Sequence, residues 1–255
     1  MRTALVGPRS LSGSPARRAQ GGNFDPRAIP GCVLWLDADY GITLNGANVS
    51  AWLDQSVTGA NLVQATAANQ PALTTDAVNG HSVVDANDST DRLRDASLPD
   101  LSSKAGFTHF AVFKATSATT NQLTAQTVNS PWTFVQIFTS ELYHYVTAGN
   151  SGRYAFTDTA SYHIAEGWFD GSGAANADRL KAYLDGTAKT LTFGGTIPAT
   201  TGAGTSGYVA GAETVSLSFL GPVAAHLLYD RALNATERAL VGKYLGTRYA
   251  LTTTY

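Results

Sequence analysis

The chain has 255 residues, long enough to bury one large core without disulfide or metal staples. Charged residues make up only 14%, against 25 Gly and many Thr, Ala, Ser and Asn, a composition that excludes coiled coils and helical bundles and fits short strands joined by polar turns. The net charge of −2 argues against a nucleic-acid binder, and the single cysteine, Cys32, excludes an intrachain disulfide framework.

The charge is unevenly spread. Residues 1–31 carry Arg2, Arg9, Arg17, Arg18 and Arg27 against one acid, Asp25, a charge of +4. Residues 32–255 then hold 12 bases and 18 acids, or −6. The first stretch is rich in Gly and Pro and poor in large apolar residues, so it cannot build a core of its own. It reads as an extended basic arm over residues 1–30 that orders on a partner, with a plain linker as the alternative. The body is residues 31–255. After Arg2, the short Ala4-Leu5-Val6 run is stopped by Gly7-Pro8, so no secretory signal peptide is expected. No stretch reaches the ~18 apolar residues of a membrane span.

From Cys32 onward the pattern is that of strands. Val33-Leu34-Trp35-Leu36 and Val49-Ser50-Ala51-Trp52-Leu53 are short apolar runs closed by Asp. Residues 57–80 are polar, with Gln70-Pro71 and Asn79-Gly80 as turn signals, and read as loop. Ser82-Val83-Val84 is a brief strand, and Asp85 to Asp91 a polar loop. Phe107 to Lys114 is apolar on both faces at its centre and suits a central strand. Trp132–Phe138 and Leu142–Val146 form a pair joined at Thr139-Ser140-Glu141. Tyr162–Phe169 is the next strand. Leu180–Leu184 runs into Asp185-Gly186, a strong hairpin turn, with Lys189–Phe193 returning. Tyr208–Ala210, Val215–Leu220 and Pro222–Tyr229 complete the series. Asn234 and Glu237 have the residue types of a capping box. A helix follows with Leu240, Val241, Tyr244 and Leu245 on one stripe, ending near Gly246, and is expected at an edge or end of the sandwich.

Four segments in this order resemble one family. The first is Leu34-Trp35-Leu36-Asp37-Ala38, after Phe24-Asp25-Pro26 and Ile29-Pro30-Gly31. The second is Trp52-Leu53-Asp54-Gln55-Ser56, ahead of Gln64–Pro71 and Val78-Asn79-Gly80. The third is Ala182-Tyr183-Leu184-Asp185-Gly186. The fourth runs from Phe219-Leu220-Gly221 through Leu228–Leu233 to Glu237-Arg238 and Tyr244-Leu245. Together, over roughly residues 24–250, they resemble the LamG-like, concanavalin A-like jelly-roll domains, and are especially similar to those of tailed-bacteriophage structural proteins. The resemblance implies an all-β jelly-roll sandwich of two antiparallel sheets, with glycan or protein binding and, in the wider superfamily, often calcium. It also implies an arm that anchors a virion protein.

The chemistry is sparse. Glycoside hydrolysis needs two carboxyls ~5–9 Å apart. Glu141, Glu166, Glu213 and Glu237 have no acidic partner two or four places away within one strand, so no enzyme is expected. Asp85, Asp88 and Asp91 offer hard oxygen ligands for calcium. So does the loop of Asp170-Gly171-Ser172 with Asn176 and Asp178. Asp and Asn also fill such loops simply because they make turns. No cofactor is required. His81, His109, His144, His163 and His226 lack metal-binding spacing and read as packed or surface residues. Trp35 and Trp52 read as core. Trp132, Tyr143, Tyr145 and Tyr154 are the candidates for a glycan-binding face or a subunit contact.

The expectation is therefore a non-enzymatic virion structural protein, in a head decoration, head fibre or tail-associated adhesin. It would be assembled in the host cytoplasm and displayed on the virion surface. Its partners would be other virion proteins held through residues 1–30, copies of itself in a trimer, and a host glycan, with no nucleic acid and no membrane insertion. The alternative is a stand-alone carbohydrate-binding lectin module.

Overall fold

The computed structural model describes residues 24–118, 120–126, 132–203, 206–211 and 219–255. Arg2, Arg9, Arg17, Arg18 and most of Val215–Leu220 lie outside the described residues. In chain order the strands are β1 (Cys32–Asp37), β2 (Ile42–Asn45), β3 (Asn48–Trp52), β4 (Leu62–Val63), β5 (Ala72–Val78), β6 (His81–Ala86), β7 (Arg92–Asp100), β8 (Gly106–Phe113) and β9 (Thr120–Gln126). There follow β10 (Trp132–Phe138), β11 (Glu141–Thr147), β12 (Asn150–Ala155), β13 (His163–Asp170), the helical turn α1 (Asn176–Arg179), β14 (Leu180–Leu184), β15 (Thr187–Lys189), β16 (Thr192–Gly194), β17 (Ser206–Gly211), β18 (Gly221–Tyr229) and the helix α2 (Ala235–Tyr249).

All pairings are antiparallel, and they build the two layers of a jelly-roll sandwich. The back layer runs β15–β14–β13–β8–β18. The outer side of β18 is shared: its start pairs with β6, which carries β5, and its later half pairs with β1. The front layer runs β2–β3–β4–β7–β17–β9–β10–β11–β12–β16. The layers meet at one corner, where Asn48 of β3 pairs with Ala72 of β5.

Alternation along the strands sorts side chains into two cores. Leu34, Leu36, Trp52, Phe107, Ala111, Phe113, Val135, Ile137 and Leu142 fill the space between the layers. Trp35, Phe110, Val112, Ile164, Leu227 and Tyr229 point out of the back layer, where Val241, Leu245 and Tyr249 of α2 cover them. Every residue of β8 is therefore buried, as its two-sided apolar pattern predicts. The helix lies on the face of the back layer rather than at an edge or end.

The capping box of α2 is formed. Asn234 Oδ1 accepts the Glu237 amide at 3.0 Å, and Glu237 Oε2 accepts the Asn234 amide at 2.9 Å. The helix runs past Gly246 to Tyr249 and ends with Ala250 in the left-handed region at φ 52°. The glycines inside it make room for the C-terminal tail: a Cβ on Gly246 would lie 2.9 Å from Thr253 Oγ1, and one on Gly242 would strike the Tyr255 ring. Leu240 faces solvent, so the buried stripe is Val241, Leu245 and Tyr249.

Residues 24–30 pack on the sandwich. Tyr229 donates its hydroxyl to the Pro26 carbonyl, Arg231 Nε donates to that of Pro30, and Phe24 meets the Tyr244 ring at 5.5 Å. Arg27 pairs with Asp25 and lies 5.4 Å over Trp35. The stretch read as loop, 57–80, contains β4 and β5, and the return strand after Asp185-Gly186 divides. Thr187–Lys189 stays with β14, while Thr192–Gly194 crosses to β12 in the front layer.

Candidate functional site

The sequence Glu141-Leu142-Tyr143-His144-Tyr145-Val146 alternates with period two, and the structure splits it accordingly. Leu142, His144 and Val146 are buried between the layers, and Glu141, Tyr143 and Tyr145 face outward. The register of β11 with β10 sets Gln136 opposite Tyr143 and Phe138 opposite Glu141. The register with β12 sets Arg153 opposite Tyr143. Six side chains thus share the outer face of the front layer.

Their contacts form one connected group. The Tyr143 and Tyr145 rings stack with centroids 5.8 Å apart and planes 16° from parallel. The Arg153 guanidinium lies 5.6 Å over Tyr143, and its Nε is 3.0 Å from Glu141 Oε2. Tyr143 donates its hydroxyl to the same Glu141 oxygen at 3.0 Å, and Tyr145 donates to Gln136 Oε1 at 3.1 Å. Phe138 stands edge-on to Tyr143 and is 42% exposed. Burial, then the Glu141 hydrogen bond, raises the Tyr143 hydroxyl, and burial followed by the neighbouring Tyr143 pushes Tyr145 up to about 12. Both phenols stay protonated and serve as neutral donors and acceptors. Apolar ring surface beside fixed hydroxyl, amide, carboxylate and guanidinium groups suits a polyol ring, which has apolar C–H faces and a polar rim.

The other sequence candidates lie elsewhere. Tyr154 sits opposite Leu142, 7% exposed, and belongs to the core between the layers, so its ring offers no outer surface. The Trp132 side chain lies outside the described residues. Asp91 accepts the amides of Asn87 and Asp88 through Oδ2, both at 3.1 Å, and Asp88 accepts the amide and hydroxyl of Thr90 at 3.0 Å. Burial raises both Asp85 and Asp91. In the second loop, Asp170 caps Ser172, Asp178 caps Ala175 and Asn176 caps Ile197. Asp88, Asp91 and the groups of the second loop act as turn caps, whereas Asp85 lies in β6, opposite Ala72 and Pro222, rather than in the loop. Among the described residues no group of three or more His, Cys, Asp or Glu is arranged to hold a metal.

The sandwich is similar to several solved structures. It superposes on the binding domain of botulinum neurotoxin serotype G with a TM-score of 0.61 at 13% identity, covering 85% of this chain and 51% of that one. The serotype D binding domain gives 0.58 at 12% identity, with 84% and 51% covered. Trypanosoma rangeli sialidase bound to the inhibitor DANA gives 0.53 at 13% identity, with 84% and 33% covered. The chain spans about half the length of the toxin domains and a third of the sialidase. At such identity the likeness is one of fold. No protein-family model and no curated protein matches the chain.

Sequence reasoning singled out Tyr143 and Tyr145 but missed Gln136, Phe138, Glu141 and Arg153. The alternation in β11 carries a signal for Glu141. The remaining three arrive through strand register, which short apolar runs do not specify.

Proposed function

We propose that the chain is a non-enzymatic saccharide-binding sandwich, carried on the surface of a bacteriophage virion by its N-terminal segment. The observation that carries the binding role is the Tyr143–Tyr145 stack with Arg153, Glu141 and Gln136 fixed around it. Glu141 is the single acid of that group, and acid–base cleavage of a glycosidic bond uses two. The Arg153–Glu141 pair balances the local charge, which favours a neutral sugar over an acidic one.

The virion placement is supported by the ordered motifs of the sequence and by the +4 charge of residues 1–31. Because residues 24–30 pack on β18 and α2, the anchor proper is residues 1–23. A trimer belongs to the same proposal.

A glycan array spanning neutral and sialylated oligosaccharides tests the binding. The expected result is hits on neutral glycans that weaken tenfold or more in Tyr143→Ala and Tyr145→Ala, with both variants still folded at the assay temperature by circular dichroism. An array without hits overturns the binding role. Deleting residues 1–23 is expected to abolish virion incorporation while leaving glycan binding intact. Binding without any incorporation of the full chain supports the stand-alone lectin instead.

A further inference from the structure

The five histidines fall into two environments. His81 and His163 lie against carboxylates: His81 Nδ1 is 2.6 Å from Asp39, and His163 Nδ1 is 2.7 Å from Asp185. The other three are inside the sandwich. His109 of β8 and His226 of β18 come from the back layer, and His144 of β11 comes from the front. They are 1%, 0% and 2% exposed.

His109 and His226 come from neighbouring strands of the back layer, with Leu228 opposite His109 and Ala111 opposite His226. The His109 and His144 rings meet edge-on with centroids 5.7 Å apart. His109 Nδ1 accepts the Gly167 amide at 3.2 Å. A Cβ on Gly167 would lie 2.7 Å from Nδ1 of both His109 and His144, so only a glycine there leaves both rings their space. His144 stacks on Tyr154 at 5.9 Å, and neither of its ring nitrogens has a hydrogen-bond partner. His226 packs beside Trp52 at 5.9 Å.

Among the described residues, side chains from several elements face these rings. From β10 comes Val135, opposite His144, and from β13 comes Gly167. From β3 comes Trp52. From β12 comes Tyr154, whose hydroxyl is buried, with Lys189 of β15 lying 5.8 Å over its ring and the charge of Asp185 acting on it. Burial pulls His109 down to about 4 and, with the His109 charge second, His226 to about 3. The same two causes hold His144 well below 6.5.

We propose that His109, His144 and His226 form an acid-sensitive joint between the two layers, packing as core when neutral and parting β11 from the back layer when protonated. The unfolded chain takes up protons at these positions near pH 6.5, while the folded one resists them. Stability therefore falls as pH drops from 6.5 toward 4. The proton comes from bulk solvent, and like charges less than ~6 Å apart in a dry interior repel strongly. His144 lies between Tyr143 and Tyr145 in the same strand, so moving it also dismantles the outer face those tyrosines share.

The test is urea denaturation of the full chain from pH 7.5 to 4, followed by near-ultraviolet circular dichroism, for the native protein and for His144→Phe. The slope of stability against pH counts protons taken up on unfolding. The native chain is expected to take up more than one between pH 6 and 4, and to recover its tyrosine signal at pH 7.5. His144→Phe is expected to take up about one fewer and to unfold at a lower pH. Equal slopes and equal acid midpoints for the two proteins overturn the proposal. If His144→Phe does not fold at pH 7.5, His226→Phe takes its place with the same expectations. Native-state imidazole resonances titrate independently of any variant: midpoints near 6.5 for these three overturn the joint, and their absence down to pH 5 supports it.

Discussion

Arg238 Nη1 donates to Glu166 Oε1 at 2.7 Å, tying α2 to the centre of the back layer through a carboxylate with no exposed surface. Burial raises the Glu166 carboxyl even with the Arg238 charge opposing it. The same guanidinium lies 4.3 Å over the Tyr183 ring. Glu166 sits on the helix-facing side of β13, while Gly167, its neighbour, faces the histidines. One strand thus carries the polar contacts of both cores.

Removing Arg238 alone leaves a buried carboxylate without its partner. Arg238→Met is expected to cost about 3–5 kcal/mol in urea denaturation. Replacing the pair together, Glu166→Leu with Arg238→Met, is expected to recover most of that loss, because two apolar groups need no compensation. A double variant as unstable as the single one would show that the helix position depends on other contacts.

The helix cap is a smaller and separable contribution. Asn234→Ala removes the side-chain acceptor for the Glu237 amide and is expected to cost about 1 kcal/mol. For a domain of this size that lowers the melting temperature by about 2–4 °C. Arg231 holds both oxygens of Glu237, with Nη1 2.9 Å from Oε2 and Nη2 2.6 Å from Oε1. Arg231→Ala is therefore expected to weaken the same cap, and the two losses are expected not to add. A thermal melt of both single variants and the double checks this.

His163 responds to pH with the opposite sign to the core histidines. Burial lowers it, but the hydrogen bond and charge of Asp185, then Asp158, outweigh burial, so its value is raised above 6.5. A raised folded value means that its contribution is fully present below 6.5 and fades as pH rises through the folded value. His163→Gln is expected to destabilise the chain more at pH 6 than at pH 9, measured as the difference from the native protein at each pH. Asp158, held down to about 2 by the amides of Ala160 and Ser161, stays ionised across that range. A loss independent of pH would show that His163 acts by packing alone.

The sequence makes some of these relationships visible and conceals others for physical reasons. β8 is legible because both of its faces are covered and its residues are apolar in succession. β5 is hidden because Thr74, Thr75 and Asp76 face solvent, so its composition is that of a loop. Gly246 carries a helix-stop signal, yet it serves the crossing of the tail over α2, a contact between segments that local pattern does not encode. The alternation of β11 separates Tyr143 from His144 correctly. That His144 meets His109 follows only from the packing of one layer on the other, and the Arg153 contact with Tyr143 only from the register of the β11–β12 hairpin.

Gly167 is the position where the packing of the histidines can be probed without changing a charge. Gly167→Ala keeps the backbone of β13 but sets a methyl 2.7 Å from Nδ1 of both His109 and His144. One ring must move, and overpacking of this kind costs about 1–3 kcal/mol. The expected loss is present at pH 7.5, where all three imidazoles are neutral, so it separates crowding from charge. A variant that also lacks the His144 ring, Gly167→Ala with His144→Ala, is expected to regain part of the loss because the methyl then has space. If Gly167→Ala is as stable as the native chain, the two rings have room that the structure does not show, and their close approach to β13 is disproved.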